Sequence, residues 1–245
     1  MQMRSLTGFA AALVLAAGLA TAPAAIGQDY RGAVADSHRP ASDTARDADR
    51  KPAEMLAFGR IRRGEKVLEV IPGGGYFTRL FSNAVGPSGH VFAATSASRA
   101  KPVQDIAADA AYGNVTVVGL DAAGLSQVPP VDLVFTAQNF HDLYLTQLKL
   151  DVPAMVKSWY AKLKPGGELV VVDHAAAPGA PVGETANTLH RIDPAAVRRE
   201  VEAAGFVFDG QTDVLRNPKD DHTLKVFDPA IRGHTDQFVM RFRKP

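Results

Sequence analysis

The chain of 245 residues contains no cysteine. Disulfides, cysteine metal ligands and lipid attachment at a cysteine are therefore excluded, and stability must come from an ordinary hydrophobic core. Net charge is nearly absent as well: 27 Lys and Arg oppose 26 Asp and Glu, leaving +1. Such a balance creates no strong field for nucleic acid or anionic lipid. No Gly-x-Ser-x-Gly elbow and no Gly-Lys-Ser/Thr phosphate loop occurs, so serine nucleophile and phosphate-loop chemistry lack support. The glycines at 73–75 do not complete Gly-x-Gly-x-x-Gly, which disfavours a nicotinamide dinucleotide site. No histidine pair has helical i, i+4 spacing, and no metal site is assigned from the pattern. Convergence of His141/Asp142, His174/Asp173 and His222/Asp221, with His190 and Asp193 close by, stays open at the strand ends.

Long apolar runs are confined to the N-terminus. Arg4 precedes an Ala/Leu-rich stretch from Leu6 to Leu19, and Ala25-Ile26-Gly27 offers a small-x-small cleavage site. Residues 1–27 read as a secretory signal peptide. Its removal takes away Arg4 and no acid, so the mature chain is neutral and reads as periplasmic or secreted, without a stable membrane anchor. The alternative is an uncleaved anchor, disfavoured because alanine gives weak insertion drive.

The most informative segment is Val67-Leu-Glu-Val-Ile-Pro-Gly-Gly-Gly-Tyr-Phe-Thr78. An apolar run ends in three glycines and an amphipathic run follows, the pattern of a buried strand turning tightly into a helix beside a ligand. Glycine lets backbone N–H groups approach a cofactor, and the helix N-terminus adds partial positive charge. Glu69 lies near the strand's end, where a carboxylate can meet ligand polar groups.

Residues 28–60 are expected to form an N-terminal arm and helix: an extended arm over 28–42, then a helix from Ser42, its N-cap, to Phe58, interrupted or restarted at Pro52. Residues 61–245 are expected to form the main domain. Strand-length runs occur at Val67–Ile71, His90–Thr95, Val115–Leu120, Val131–Thr136, Leu169–Asp173, Phe206–Val214 and Gln237–Arg243. Helical patterns lie between several of them, and Gly86–Gly89 and Lys164–Gly167 read as helix-to-strand turns. Val152, Met155, Val156, Trp159, Tyr160 and Leu163 make one apolar stripe, with Trp159 in the core. Asp193-Pro194 starts a further helix that ends at Gly205. The long polar segment from Leu215 to Thr235 is either a substrate lid or a solvated surface loop. Lys51, Arg60, Arg62 and Arg63 read as a solvated face.

This alternation predicts an α/β fold: a Rossmann-like, doubly wound, mostly parallel seven-stranded sheet with an antiparallel last strand. Ligands of such sheets sit at the carboxyl ends of strands, near the switch in strand order. The residues there are Glu69, Gly73–Gly75, Thr95, Ser96, Asp121, Gln138–Asp142 and Asp173-His174.

In order along the chain, Glu69–Gly75, Leu120-Asp121-Ala122, Asp132–Thr136 and Leu163-Lys-Pro-Gly-Gly-Glu-Leu-Val170 resemble the motifs of class I S-adenosylmethionine-dependent methyltransferases, over roughly residues 55–245. The phrases Ile71–Thr78, Gln138-Asn-Phe-His-Asp142, Asp173-His-Ala175, His190–Pro194 and Asp228–Gly233 resemble predicted methyltransferases carrying bacterial export signals. The resemblance implies S-adenosylmethionine as cofactor, held by Glu69, Gly73, Gly74, Gly75, Thr95 and Asp121, with Asp121 meeting the adenine. It implies a small-molecule substrate lined by His141, Asp142, Asp173 and His174. His141 is a candidate base, and Asp173 a candidate orienter of a histidine; the Asp173-His174 pair reads equally as a strand-end turn. The chain departs from the family pattern twice. Ile71-Pro72 stands where the first glycine is expected, so the loop must turn differently. The second strand ends in Thr95-Ser96 rather than an acid for the ribose hydroxyls. Nothing in the sequence sets the acceptor atom or the oligomeric state.

Overall fold

The computed structural model describes residues 29–245; the expected signal peptide lies outside the described residues. Seven strands form one sheet: β1 (Lys66–Val70), β2 (His90–Thr95), β3 (Val115–Gly119), β4 (Val131–Ala137), β5 (Leu163–His174), β6 (Val207–Thr212) and β7 (Gln237–Arg243). The spatial order is β3-β2-β1-β4-β5-β7-β6. β1 to β5 pair in parallel, and β7 runs antiparallel to both its neighbours. The doubly wound, mostly parallel sheet expected from the sequence is present. Order reverses between β1 and β4, so the residues after these two strands flank the switch point.

The helices are α1 (Arg31–Val34), α2 (Ala41–Thr44), α3 (Asp47–Arg50), α4 (Pro52–Phe58), α5 (Tyr76–Val85), α6 (Lys101–Ala108), α7 (Ala122–Ser126), α8 (Val152–Lys162), α9 (Val182–Leu189) and α10 (Pro194–Ala203). Among the described residues no helix is long and apolar enough to cross a membrane. The period-two alternation of the strands divides the core. Leu68, Val70, Val134, Leu169 and Val171 face one side with Val156 and Trp159 of α8. Val67, Leu133, Phe135, Val170 and Val172 face the other with Phe77, Leu80 and Phe81 of α5. Glu69 follows this alternation and points to the α5 side, beneath the helix rather than along the sheet edge.

The N-terminal segment departs from expectation. The 28–42 stretch is not an extended arm: it contains α1, Ala33 is buried, and Tyr30 Oη donates to Ile61 O at 2.7 Å. The helix expected from Ser42 restarts at Pro52 as α4, but it is broken once more into α2 and α3, and Pro40, not Ser42, holds the N-cap of α2. Two forces break it. Lys51 precedes Pro52, a position that disfavours the helical region, and adopts φ 46°. The Arg39 guanidinium grips Asp47 through two bonds of 2.9 and 2.6 Å and folds the segment back. Asp36, Asp43 and Asp47 then reach Asn83, Arg79 and Tyr76 along one side of α5.

Two further differences concern turns. Lys164–Gly167 lies inside the β5 span, as an irregularity between the Val131/Leu163 and Leu133/Glu168 pairings. The polar stretch between β6 and β7 is tied down at its base. Arg191 and Asp220, both fully buried, share bonds of 2.8 and 3.0 Å, and Asp236 binds Arg216, Asn217 and His222.

Candidate functional site

At the carboxyl end of β1 the loop Ile71–Gly75 turns into α5. Ile71 adopts φ 56°, a left-handed conformation unusual for a β-branched residue, so isoleucine holds the conformation that favours glycine. Across the switch point, Gln138 after β4 adopts φ 62°. Asn139 ties the two loops, donating from Nδ2 to Ile71 O at 2.9 Å. The three glycines then divide. Nothing lies within 4 Å of a Cβ placed on Gly73 or Gly74, whereas one on Gly75 would fall 2.0 Å from Ile106 Cδ1. Gly73 and Gly74 thus leave a backbone surface open to a ligand at the start of α5, and Gly75 allows α5 to pack on α6.

Glu69 is 3% exposed and accepts from Thr78 Oγ1 at 2.5 Å. Burial pushes its carboxyl up to about 7, against the Thr78 hydrogen bond and the charges of Arg50 and Arg79. It sits behind the glycine loop. Thr95 is buried, and its carbonyl accepts from the Leu120 N–H; the neighbouring Ser96 hydroxyl is exposed and 3.2 Å from Ser98 Oγ. Asp121 is exposed after β3 and caps α7, accepting from the Gly124 N–H at 2.7 Å, so only part of its carboxylate is committed.

Beyond β4, His141 opens a short 3-10 turn, His141–Tyr144. The pairing of Ala137 with Val172 brings the ends of β4 and β5 side by side, so Asp173 meets His141. Asp173 Oδ1 lies 2.8 Å from His141 Nδ1 and Oδ2 accepts the His141 N–H at 2.7 Å. Asp173 is the orienter of a histidine, and that histidine comes from the neighbouring strand end rather than from position 174. Nε2 of His141 faces Asp142 Oδ1 at 3.2 Å, and His190 Nδ1 approaches the same oxygen at 3.7 Å.

Electrostatics separate the two central rings. Burial works against charge on His141, but Asp173 and Asp142 overcome it and lift the ring to about 10. Burial would raise Asp173, yet the His141 charge and hydrogen bonds hold it below the usual carboxylate range. His174 has no such pair of partners. Burial drives it down to about 4, and its Nδ1 lies 2.7 Å from Thr235 Oγ1. One histidine is held charged and the other neutral, with ring centroids 5.9 Å apart.

The sequence reading missed Arg50. From α3 its guanidinium lies over Tyr76 and Phe77, 4.6 and 5.0 Å from the ring centroids, and donates to Gln138 Oε1 at 2.8 Å. Burial lowers it to about 10. Gln138 passes the contact on, donating to Gln237 Oε1 at 3.0 Å. No pattern marks Arg50, because its place depends on the refolded N-terminal segment. His190, grouped with Asp193 in the sequence, has Asp142 as its partner.

No family model matches the chain. It is 34% identical over 103 residues to the protein-L-isoaspartate O-methyltransferase of Ignicoccus hospitalis, covering 40% of this chain and 49% of that protein. It is 34% identical over 124 residues to the ubiquinone/menaquinone biosynthesis C-methyltransferase UbiE of Pseudomonas paraeruginosa, covering 48% of this chain and 45% of that protein. The chain therefore spans about half the length of the curated relatives it matches. Among solved structures it is similar to a SAM-dependent methyltransferase from Aquifex aeolicus, with TM-score 0.60, 18% identity, and coverage of 82% of this chain and 93% of that one. That likeness shows the fold.

Proposed function

We propose that the chain is a class I S-adenosylmethionine-dependent methyltransferase acting on a small-molecule acceptor. The observation that carries this reading is the open glycine surface of Gly73 and Gly74 at the switch point, with the His141–Asp173 pair on the adjoining strand ends. The names of the relatives, which transfer methyl groups to different acceptors, support the donor and leave the acceptor open. Fold alone does not give the reaction.

The residues fit the cofactor. The glycine loop is not filled by side chains, the N-terminus of α5 offers backbone N–H groups, and Ser96 and Asp121 present polar atoms at the ends of β2 and β3. When bound, S-adenosylmethionine supplies an electrophilic methyl group on a sulfonium. This chain's own residues hold the acceptor. Asp173 fixes the His141 ring, and His141 with Asp142 lines the acceptor side. His141 is held charged and His174 neutral, so this side offers the acceptor one charged donor ring and one uncharged ring. Glu69 supports the loop from behind through Thr78.

The expected N-terminal signal further supports placing the mature chain in the periplasm or outside the cell. The mass of the native protein tests this directly: an intact N-terminus refutes export by cleavage. Calorimetric titration with S-adenosylmethionine and its demethylated product tests the donor. Binding of either supports the reading; no heat with both overturns it.

A second reading is a methyltransferase-fold protein that binds another ligand without methyl transfer. It is favoured by the end of β2, where Thr95 is buried and Ser96 supplies a hydroxyl in place of a carboxylate for ribose. The small molecule that copurifies from the native compartment distinguishes the two.

A further inference from the structure

Three side chains converge beyond the end of β4 in a way the sequence did not assign. His141 Nε2 and His190 Nδ1 stand 3.2 and 3.7 Å from one oxygen of Asp142. The three donor atoms lie within 4.8 Å of one another, and among the described residues this is the one such cluster of His, Asp and Glu donors. A tetrahedral ion with bonds of ~2.0–2.1 Å sets its ligand atoms ~3.3 Å apart, so little movement closes the set around a cation.

The surroundings are those of a prepared site. Asp173, fully buried, holds Nδ1 of His141 and so leaves Nε2 as the nitrogen that faces the cluster, where a bound cation would displace the proton that Nε2 carries in the charged ring. A carboxylate behind a ligating imidazole fixes its tautomer and raises its basicity. His190 ends α9 at φ 55°, a left-handed conformation uncommon for a residue other than glycine, and this turns its ring towards Asp142. The His190 ring packs between His141 and Phe227, at centroid distances of 5.3 and 4.8 Å. Asp142 and His190 keep 16% and 19% of their side-chain surface exposed, so one side of the cluster is open to a water or a substrate oxygen.

We propose that His141, Asp142 and His190 form a binding site for a divalent transition metal ion of the zinc or ferrous iron class. Two imidazoles and one carboxylate suit these borderline ions, whereas magnesium and calcium prefer all-oxygen sets. The three residues leave coordination positions free on the open side, where a metal would polarise an oxygen-bearing ligand. The proposal does not depend on methyl transfer.

The test uses the tag-free full chain, stripped with a chelator and titrated separately with Zn2+ and Co2+ by calorimetry and visible absorption. One equivalent is expected to bind, with Co2+ developing the d–d bands of a low-coordinate nitrogen and oxygen site and a large excess of Mg2+ failing to compete. His190→Ala and Asp142→Asn, both at the open side, should each weaken binding at least ~10-fold, and Asp173→Asn ~10–100-fold through the outer shell. His234→Ala, at an exposed histidine paired with Asp49, should leave the affinity unchanged. Unchanged circular dichroism in His190→Ala and Asp142→Asn separates lost ligands from lost fold. Absence of Zn2+ and Co2+ binding, or binding that survives both His190→Ala and Asp142→Asn, overturns the site. None of these measurements involves the methyl donor, so failure here and failure of donor binding are distinguishable.

Discussion

Asp173 Oδ1 accepts from His141 Nδ1 and from the His174 N–H, each at 2.8 Å, while Oδ2 accepts the His141 N–H at 2.7 Å. One fully buried carboxylate thus locks the ends of β4 and β5 together. Removing its charge leaves a buried imidazolium without its main partner, a defect that costs about 3–5 kcal/mol in comparable buried pairs. Asp173→Asn should therefore lose roughly that much stability in urea titrations. Combined with His141→Gln in a double-mutant cycle, the two losses should be far from additive. Additive losses would mean that the pair does not couple the two strand ends.

Glu69 gives the protein a pH dependence opposite to that of an ordinary paired carboxylate. Its folded-state value of about 7 lies above the ordinary glutamate value of 4.5. Between these values the folded chain keeps a proton that the unfolded chain releases, so stability falls as pH rises from about 4.5 to about 7 and levels off above. The full effect is on the order of 3 kcal/mol. Glu69→Gln removes the penalty and keeps the hydrogen bond to Thr78. Denaturant midpoints at pH 5 and pH 8 should show the variant matching the parent at the lower pH and exceeding it at the higher. Equal slopes for the two proteins would refute the burial argument.

The sheet was legible because its strands announce themselves locally. Short Val- and Leu-rich runs bounded by Gly and Pro place β1, β2, β3, β4 and β7 within a residue or so of their observed spans. Features that depend on distant partners were not legible. The N-terminal segment reads as an extended arm and a helix interrupted only at Pro52, because the pairing of Arg39 with Asp47 and of Asp43 with Arg79 leaves no local mark. Helix α9, with the poor formers Gly183, Thr185, Asn187 and Thr188, is anchored instead by Asn187, which bonds Tyr144 O and the Thr146 N–H. The same holds at the site. Asp142, Asp173 and His174 were visible as polar residues after strands, but the partner of His141 is set by β4–β5 register, and His190 joins only through α9.

Arg191 and Asp220 anchor the polar stretch between β6 and β7. Both are fully buried, and the guanidinium also donates to Leu224 O and Ala175 O. The stretch carries Phe227 onto the His190 ring. Arg191→Leu strands the Asp220 carboxylate in the interior and should cost about 3–5 kcal/mol. It should also make residues 215–235 the first point of cleavage in limited proteolysis, ahead of any cleavage in the sheet. A variant that unfolds as one unit, with no preferential cleavage there, would show that the pair stabilises the whole domain rather than this stretch.

The three glycines of the turn after β1 should fail in different ways. Gly74 has ordinary φ and open space around its would-be Cβ, so Gly74→Val should leave the thermal midpoint within a few degrees of the parent while filling the ligand face. Gly73→Val fills the same face but also places a β-branched residue at φ 58°, a conformation costing about 1–2 kcal/mol for residues with a Cβ. Gly75→Val would drive its Cβ to 2.0 Å from Ile106 Cδ1 and separate α5 from α6, so it should destabilise the fold most, whether or not ligand is present. Calorimetry with S-adenosylmethionine then reads the loop cleanly at Gly74. A folded Gly74→Val protein that binds the donor as tightly as the parent would remove the glycine loop from the cofactor site, because no other effect of that substitution could mask the loss.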